Sequence, residues 1–328
     1  MKGQYIASLA EGTRVDEVFV IRSRDLRAAR TGDAYLAMEF GDRTGVIPGV
    51  MFRPGPDDWS LPCGSVARVR GTVTSYRGVR RISVESMRAV SSYDTDDMIA
   101  AGTRERVELD SALRTLLNGV KSRGLRAVLR CVFGDKAFME RFRACPGSGS
   151  HHHAYMGGLL EHTVSVASLC RSLAPRYDGL DVDLLVAAAL LHDIGMTEEL
   201  RWDTTIERTD AGRLLGHVIL GGRLVSQAID RVGQSLDPGT GTRLLHVLIS
   251  HHGEFESGAP VRPALLEAVI LHHADDLDAQ AAGFMAAVAT AGVIEEPWSD
   301  AANLFGRPLY VPSALGPAPG PPVGAAVA

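Results

Sequence analysis

The pattern of apolar and polar residues along the chain changes character after about residue 90. Before that point, short runs rich in β-branched residues alternate with polar positions, which is typical of strands that bury one face. Gly, Pro and Asp residues with turn-forming chemistry separate the runs. The pattern therefore predicts five short strands, at residues 15–21, 34–40, 44–52, 65–76 and 80–90.

Five short strands in so few residues favour a small closed sheet. The hairpin TGDAYLAMEFGDRTGVIPGVMF is followed by a loop and by GSVARVRGTVTSYRG, and this order of elements resembles an OB-fold. We expect an OB-like, nucleic-acid-binding β-barrel at residues 1–92, with Phe40 and Phe52 in its core.

After residue 90 the apolar residues recur at helical spacing, so we predict a second, all-α domain. Residues 93–149 form a helical connector and the first helices, and residues 150–305 form the domain itself. The tail at residues 306–328 is rich in Pro, Gly and Ala and has little to bury, so we expect it to be disordered. The fold class is thus multidomain, with an N-terminal β-barrel and a C-terminal helical domain.

Composition and charge indicate that the two parts of the chain bind different partners. The 45% apolar content of the 328 residues is enough for a globular core, and no apolar run could span a membrane. Residues 1–90 carry 14 Lys and Arg against 10 Asp and Glu, a net +4, and the remainder carries −9. The basic part could attract a polyanion and the acidic part could hold cations. Four scattered cysteines and the absence of a signal-like start predict a cytoplasmic protein.

Histidines carry the strongest chemical signal, because all eleven lie between His151 and His273. His162 shares the apolar stripe of its predicted helix. The pair His192-Asp193 ends the run VDLLVAAALL, which is apolar all round and predicts a buried helix. A buried carboxylate without a partner is very costly, and a cation beside Asp193 would remove that cost.

Three more sites repeat this arrangement of a polar residue at an inward helical position. They are His217, the pair His251-His252, and Asp275, which shares a face with apolar residues of the last helix. Imidazole nitrogen and carboxylate oxygen suit zinc, manganese, iron and other first-row divalent ions. Several such helices together predict a metal centre.

The motifs GGLLEHT, LLHDIG, GHVILGG, ISHHGEFESGAPVRP and EAVILHHADDLDA resemble the HD superfamily of metal-dependent phosphohydrolases. The resemblance implies one metal held by His162, His192, Asp193 and Asp275. It also implies that Asp193 bridges to a second metal, held by His217 and His251. Asp275 matches the family position better than Asp276 does.

The OB-like module, together with HHHAYMGGLLEHT and SHHGEFESGAPVRP, resembles the YhaM-type 3′–5′ exoribonucleases over about residues 12–300. One departure stands out, because HD proteins commonly read HDIGK and this chain has Met196 at the lysine position. A lysine there would place a cation near the scissile phosphate.

The resemblance implies hydrolysis of phosphodiester bonds by a metal-activated water. Candidate catalytic residues are Asp193, His217 and His252. The group that protonates or orients a reacting oxygen is His252, His217 or one of His152 and His153, with His252 preferred. Candidate substrate-binding residues combine arginines for phosphates with an aromatic ring for bases. They are Arg262, Tyr76, Arg77 and Arg80.

We therefore expect a metal-dependent exonuclease that degrades single-stranded RNA, or DNA, from the 3′ end. Two divalent metals are expected, and Mn, Fe, Co, Zn and Mg are not distinguished. Two alternatives stay open: an HD phosphohydrolase for a small nucleotide, and a non-catalytic nucleic-acid-binding regulator with a degenerate site. No membrane partner is expected, and a homo-oligomer is compatible with the sequence.

Overall fold

The structure is a computed structural model that describes residues 2–28, 33–76, 78–102, 104–149, 152–290, 298–299, 301 and 303–311. The chain divides into two compact units. The first comprises Met1–Ala101 and Trp202–Glu207, and the second comprises Gly102–Arg201 and Arg208–Ala328. The first unit therefore extends beyond the expected boundary at residue 92 and includes a short segment from the middle of the helical sequence.

A closed β-barrel forms the body of the first unit. Its strands are β1 (Arg14–Ala28), β2 (Ala34–Asp42), β3 (Gly45–Phe52), β4 (Val66–Tyr76) and β5 (Val79–Ala89), and a short helix, α1 (Pro56–Ser60), precedes β4. The strand order is β1-β2-β3-β5-β4, with β1 pairing β4 to close the barrel and β3 running parallel to β5. A closed five-stranded barrel of this kind has the architecture of an OB-fold, so the prediction of an OB-like barrel is confirmed.

Alternation along the strands decides which aromatic rings fill the barrel. Phe40 is fully buried, with its ring centroid 6.2 Å from that of Phe19, as expected. The expectation for Phe52 was wrong, because its side chain is 58% exposed. Phe52 follows the buried Met51 at the end of β3 and therefore points to the opposite face, where its ring lies 6.1 Å from that of Tyr35.

Helices make up most of the second unit. They are α2 (Arg106–Gly119), α3 (Arg123–Phe133), α4 (Lys136–Ala144), α5 (Gly158–Leu173), α6 (Val182–Leu191), α7 (Met196–Glu199), α8 (Asp210–Val232), α9 (Pro238–Ile249) and α10 (Leu266–Thr290). Between α7 and α8 the chain forms a two-stranded sheet of β6 (Leu200–Trp202) and β7 (Ile206–Arg208), which the sequence pattern did not predict. No helix within the described ranges is both long enough and apolar enough to cross a bilayer.

Two local features place the polar residues of α6 and α8. Helix α6 begins where Asp181 accepts a hydrogen bond from the Leu184 amide, and it is buried along almost its whole length before it ends at His192. Helix α8 is interrupted at Gly216, whose φ of 72° is a left-handed value that favours glycine. The interruption changes the course of the helix immediately before His217.

Candidate metal centre

Four side chains from three elements converge at one point of the second unit. His162 comes from α5, His192 and Asp193 follow the C-terminus of α6, and Asp275 comes from α10. His162 Nε2 lies 3.1 Å from Asp275 Oδ1, 3.2 Å from His192 Nε2 and 3.6 Å from Asp193 Oδ2. We call these four residues the first ligand set.

A second group lies on the other side of Asp193. Asp193 Oδ1 is 3.3 Å from His217 Nε2 and 3.5 Å from His251 Nε2, and His217 Nε2 is 3.1 Å from His252 Nε2. We call Asp193, His217, His251 and His252 the second ligand set. The structure thus brings together every residue that the sequence suggested as a ligand, and it adds His252 to the second group.

Asp193 is the residue common to both sets, because Oδ2 faces the first and Oδ1 faces the second. It is buried, and its Oδ1 atom and the Nε2 atom of His251 have no hydrogen-bond partner among the described residues. Buried polar atoms without partners are costly, and a cation between these atoms would satisfy both. The donor atoms therefore fit a bound cation on this side of the carboxylate.

The spacing of the donors also fits cations. Ligands about 2.0–2.2 Å from one ion, at angles between 90° and tetrahedral, lie about 2.8–3.6 Å apart. In the first set the distances between the two His Nε2 atoms, and from them to the two carboxylates, run from 3.1 Å to 3.8 Å, the longest joining His192 Nε2 and Asp275 Oδ1. Within the second set the three measured separations run from 3.1 Å to 3.5 Å. The ligand atoms of His162, His192 and Asp193 all lie within 4.8 Å of one another, as do those of His217, His251 and His252, so each of these triads could hold an ion.

The five histidines present the same ring atom to the centre. Each Nδ1 lies against an oxygen outside the ligand sets, and each Nε2 faces inward. For three of the rings that oxygen is a backbone carbonyl, which can only accept, so Nδ1 donates and the neutral ring keeps its lone pair on Nε2. The Nδ1 contacts are His162–Asp278, His192–Ala189, His217–Glu199, His251–Leu248 and His252–Ser257.

Electrostatics keep the carboxylates of the centre ionised. Burial alone would raise the pKa of Asp193, but the surrounding imidazoles, among them His192 and His217, hold that pKa well below its usual range. Burial opposes protonation of His162, yet its hydrogen bonds to Asp275 and Asp278 raise the pKa of the ring to about 10. Without a cation, the first set therefore holds a proton between its anions.

Three other histidines differ in their relation to the two ligand sets. The ring of His152 lies 5.3 Å from that of His162, and burial lowers its pKa to about 4, so it is neutral near pH 7. His272 donates from Nδ1 to the His251 carbonyl at 2.8 Å and so supports the second set. His246 accepts a hydrogen bond from the Ala264 amide and lies outside both sets.

Two carboxylates that the sequence analysis did not single out lie directly behind ligands. Asp278 contacts His162, and Glu199 contacts His217. Asp278 follows Asp275 by three residues on α10, so helical periodicity could have identified it. Glu199 was not predictable in this way, because it lies on a different helix from His217 and contacts it just after the break at Gly216.

The candidate substrate residues lie on exposed parts of the two units. In the second unit Arg262 pairs with Glu254 at 2.7 Å and lies over the Phe255 ring. In the first unit Tyr76 is 53% exposed beneath the guanidinium of Arg81, and Arg80 donates to the Leu9 carbonyl. Arg77 lies outside the described residues. Met196 begins α7 and is 8% exposed.

Comparison with known proteins identifies the helical unit. The HD domain family matches residues 159–280, a range that contains both ligand sets. This chain contains an HD domain. The expected fold class of a β-barrel followed by a helical HD domain is confirmed. The prediction of a divalent-metal site is confirmed in general terms, because this fold is metal-dependent and the His and Asp clusters are present.

Most of the chain is similar in sequence to proteins named 3′-5′ exoribonuclease YhaM. The chain is 29% identical over 273 residues to the 3′-5′ exoribonuclease YhaM of Bacillus velezensis and to that of Bacillus subtilis, covering 82% of this chain and 86% of each relative. The Listeria monocytogenes protein of the same name is 28% identical over 272 residues, with the same coverage. The expected resemblance to YhaM-type exoribonucleases is confirmed.

A solved structure is similar to part of this chain. It is the second OB-fold domain of replication protein A from Methanococcus maripaludis, at 18% identity and a TM-score of 0.24, and the match covers 28% of this chain and 97% of that one.

Proposed function

We propose that this protein is a metal-dependent exoribonuclease that hydrolyses single-stranded RNA from its 3′ end, using two divalent ions in the HD domain. The observation that carries the proposal is the position of Asp193, whose two carboxylate oxygens face separate ligand sets. Similarity along 82% of the chain to relatives named 3′-5′ exoribonuclease supports the substrate and the polarity.

Bound cations would supply a water activated near neutral pH and positive charge to offset the charge that develops on the phosphate. Asp193 ties the two ligand sets together, and its place at the end of the buried helix α6 fixes the direction of its two oxygens. His252 is better suited to holding a cation than to proton transfer, because Ser257 occupies its Nδ1 and its Nε2 faces His217.

His152 is the better candidate for orienting a substrate oxygen. Its ring lies beside His162, and its buried Nδ1 atom has no hydrogen-bond partner among the described residues. Because the ring is neutral near pH 7, one nitrogen can donate and the other can accept. We propose that His152, which is only partly buried, contacts an oxygen of the bound nucleotide.

The donor atoms favour a first-row transition metal over Mg²⁺. Five imidazole nitrogens and two carboxylates supply the two sets, whereas Mg²⁺ prefers oxygen ligands and retains several waters. We propose Mn²⁺, Fe²⁺, Co²⁺ or Zn²⁺ as the resident ions, and the same donors bind all four.

The barrel would hold the single strand. Exposed aromatic rings stack on bases and arginines follow the phosphates, without strict dependence on sequence. Tyr76 with Arg81 above its ring offers one such position, and the neighbouring Tyr35 and Phe52 offer another. Arg77, Arg80 and Arg262 remain candidate phosphate contacts. A small nucleotide would need no such surface, so that alternative is less favoured.

Digestion of end-labelled RNA tests the proposal. Metal-free protein would be supplied with Mn²⁺ and given a single-stranded RNA that carries a label at either end. Attack from the 3′ end releases a 3′ label at once as a mononucleotide and shortens a 5′-labelled strand progressively. Internal cleavage, or inertness of the Mn²⁺-loaded protein towards RNA, would refute the function. Asp193→Asn protein controls for contaminating nucleases.

A further inference from the structure

The five ligand histidines differ in what holds their outer nitrogen. Backbone carbonyls accept from His192, His251 and His252, whereas carboxylates lie behind His162 and His217. One of these two rings belongs to the first ligand set and the other to the second. Each proposed metal therefore has one histidine backed by an anion.

Asp278 is held by three donors at once. Its Oδ2 atom lies 2.8 Å from His162 Nδ1 and 2.9 Å from His153 Nε2, and its Oδ1 atom accepts from the Ser165 hydroxyl. The side chain is 12% accessible. His153 is itself fixed by the Tyr155 hydroxyl at 2.8 Å. This network fixes the carboxylate on the outer side of His162, where it cannot ligate a cation in the first set.

Glu199 has the equivalent position behind His217. Its Oε2 atom accepts from both the backbone amide and Nδ1 of His217, and its Oε1 atom pairs with Arg208 at 2.9 Å. The carboxylate is 3% accessible. The break in α8 at Gly216 orients the His217 amide towards this side chain. The ring and its backbone are therefore aligned by one carboxylate.

A carboxylate behind a ligand histidine has two effects on metal binding. It fixes the tautomer that leaves the lone pair on the inner nitrogen, and its negative charge makes that nitrogen a stronger donor. Loss of such a partner typically lowers metal affinity about 10- to 100-fold. A backbone carbonyl fixes the tautomer without adding a full charge.

We infer that Asp278 and Glu199 are positioning residues, one for each metal, and that they set the affinities of the two ligand sets separately. The inference rests on the proposed two-metal centre. Neither residue contacts the reacting atoms, and each acts through the histidine in front of it.

The test is a titration of metal-free, full-length protein with Mn²⁺, in which binding is measured by isothermal titration calorimetry. Wild-type protein should bind two ions. In Asp278→Asn one of the two dissociation constants should rise about 10- to 100-fold, and in Glu199→Gln the other should rise by a similar factor. The double variant should show both changes. A crystal of each variant at limiting Mn²⁺ should show, by anomalous scattering, which set has lost its ion.

Matched controls separate positioning from general damage. Asp276→Asn alters an exposed carboxylate on α10, the helix that carries Asp278. Glu198→Gln alters the residue before Glu199, and the Glu198 carboxylate pairs with Arg223. Both controls should bind two ions with unchanged affinity. If Asp278→Asn fails to fold, Ser165→Ala removes one of its donors more gently and should weaken the same site by a smaller factor.

The outcomes distinguish this inference from the proposed function. Failure of wild-type protein to bind two ions would refute the two-metal centre itself. Two ions in wild type, with unchanged affinities in Asp278→Asn and Glu199→Gln, would refute the positioning roles alone. Equal weakening of both sites by either single variant would also refute them, because each carboxylate should act on its own set.

Discussion

Asp193→Asn should remove most of the stabilisation that the protein gains from divalent metal. The substitution keeps the size of the side chain but removes its charge and replaces one carboxylate oxygen with an amide nitrogen that cannot ligate. Both ligand sets use this carboxylate, at 3.3 Å from His217 and 3.6 Å from His162, so both should weaken together.

The magnitude follows from linkage between binding and folding. A ligand at about 100 times its dissociation constant stabilises the folded state by about 2.7 kcal/mol per site. Two sites give about 5 kcal/mol, which corresponds to roughly 10–20 °C in the unfolding midpoint of a domain of this size. In Asp193→Asn the Mn²⁺-induced rise should be only a few degrees.

Differential scanning calorimetry of metal-free protein, with and without Mn²⁺, measures the two rises. Asp276→Asn is the control, because Asp276 is exposed and accepts a hydrogen bond from Gln280 one turn along the same helix, and it should keep the full wild-type rise. A full rise in folded Asp193→Asn protein would refute the bridging role. A rise that falls by only half would show that Asp193 serves one ion and not two.

Three further predictions concern pH, the barrel and Met196. Burial lowers the pKa of His162, but Asp275 and Asp278 raise it to about 10, so below that pH a cation must displace the proton on this ring. The metal affinity of the first ligand set should therefore rise roughly tenfold per pH unit between pH 6.5 and 8.5. Calorimetry in buffers of different ionisation enthalpy should detect about one proton released per ion bound. Phe52→Ala should weaken binding of single-stranded RNA by about 1–3 kcal/mol, measured by fluorescence anisotropy in Asp193→Asn protein, whereas Tyr177→Ala in the helical unit should have no effect. Met196→Lys should raise the rate of RNA hydrolysis about tenfold or more, because a charged hydrogen bond to phosphate is worth about 1.5–3 kcal/mol. Met196→Gln is the neutral control. An unchanged rate in folded Met196→Lys protein would show that no phosphate passes this position.

Much of the metal centre was predictable because charged and polar side chains are costly in an apolar interior unless they have a partner. A His-Asp pair at the end of the apolar helix α6 requires a partner for the buried charge, and helical spacing aligns His162, His217 and Asp275 with apolar stripes. Asp275 lies in the first ligand set and Asp276 lies on the exposed side of α10, which agrees with the preference drawn from the sequence.

Other features depended on tertiary structure. His252 was expected to protonate or orient a reacting oxygen, and that role stays a prediction. Its Nδ1 lies 2.8 Å from the Ser257 carbonyl and its Nε2 lies 3.1 Å from His217 Nε2, contacts that have no periodic signal in the sequence. Glu199 contacts the His217 amide and ring just after the break in α8 at Gly216, and such a break has no periodic signal in the sequence. Phe52 is a large apolar residue of the kind that fills cores, but its register in β3 places it on the outer face of the barrel.

Anomalous diffraction from crystals soaked in Mn²⁺ would locate the bound ions directly. We expect two peaks in the HD domain, one between Asp193 and the histidines of the first ligand set and one between Asp193 and those of the second. Both peaks should be lost from Asp193→Asn crystals. A single peak, or two peaks that do not share Asp193, would rule out a two-metal centre bridged by this carboxylate.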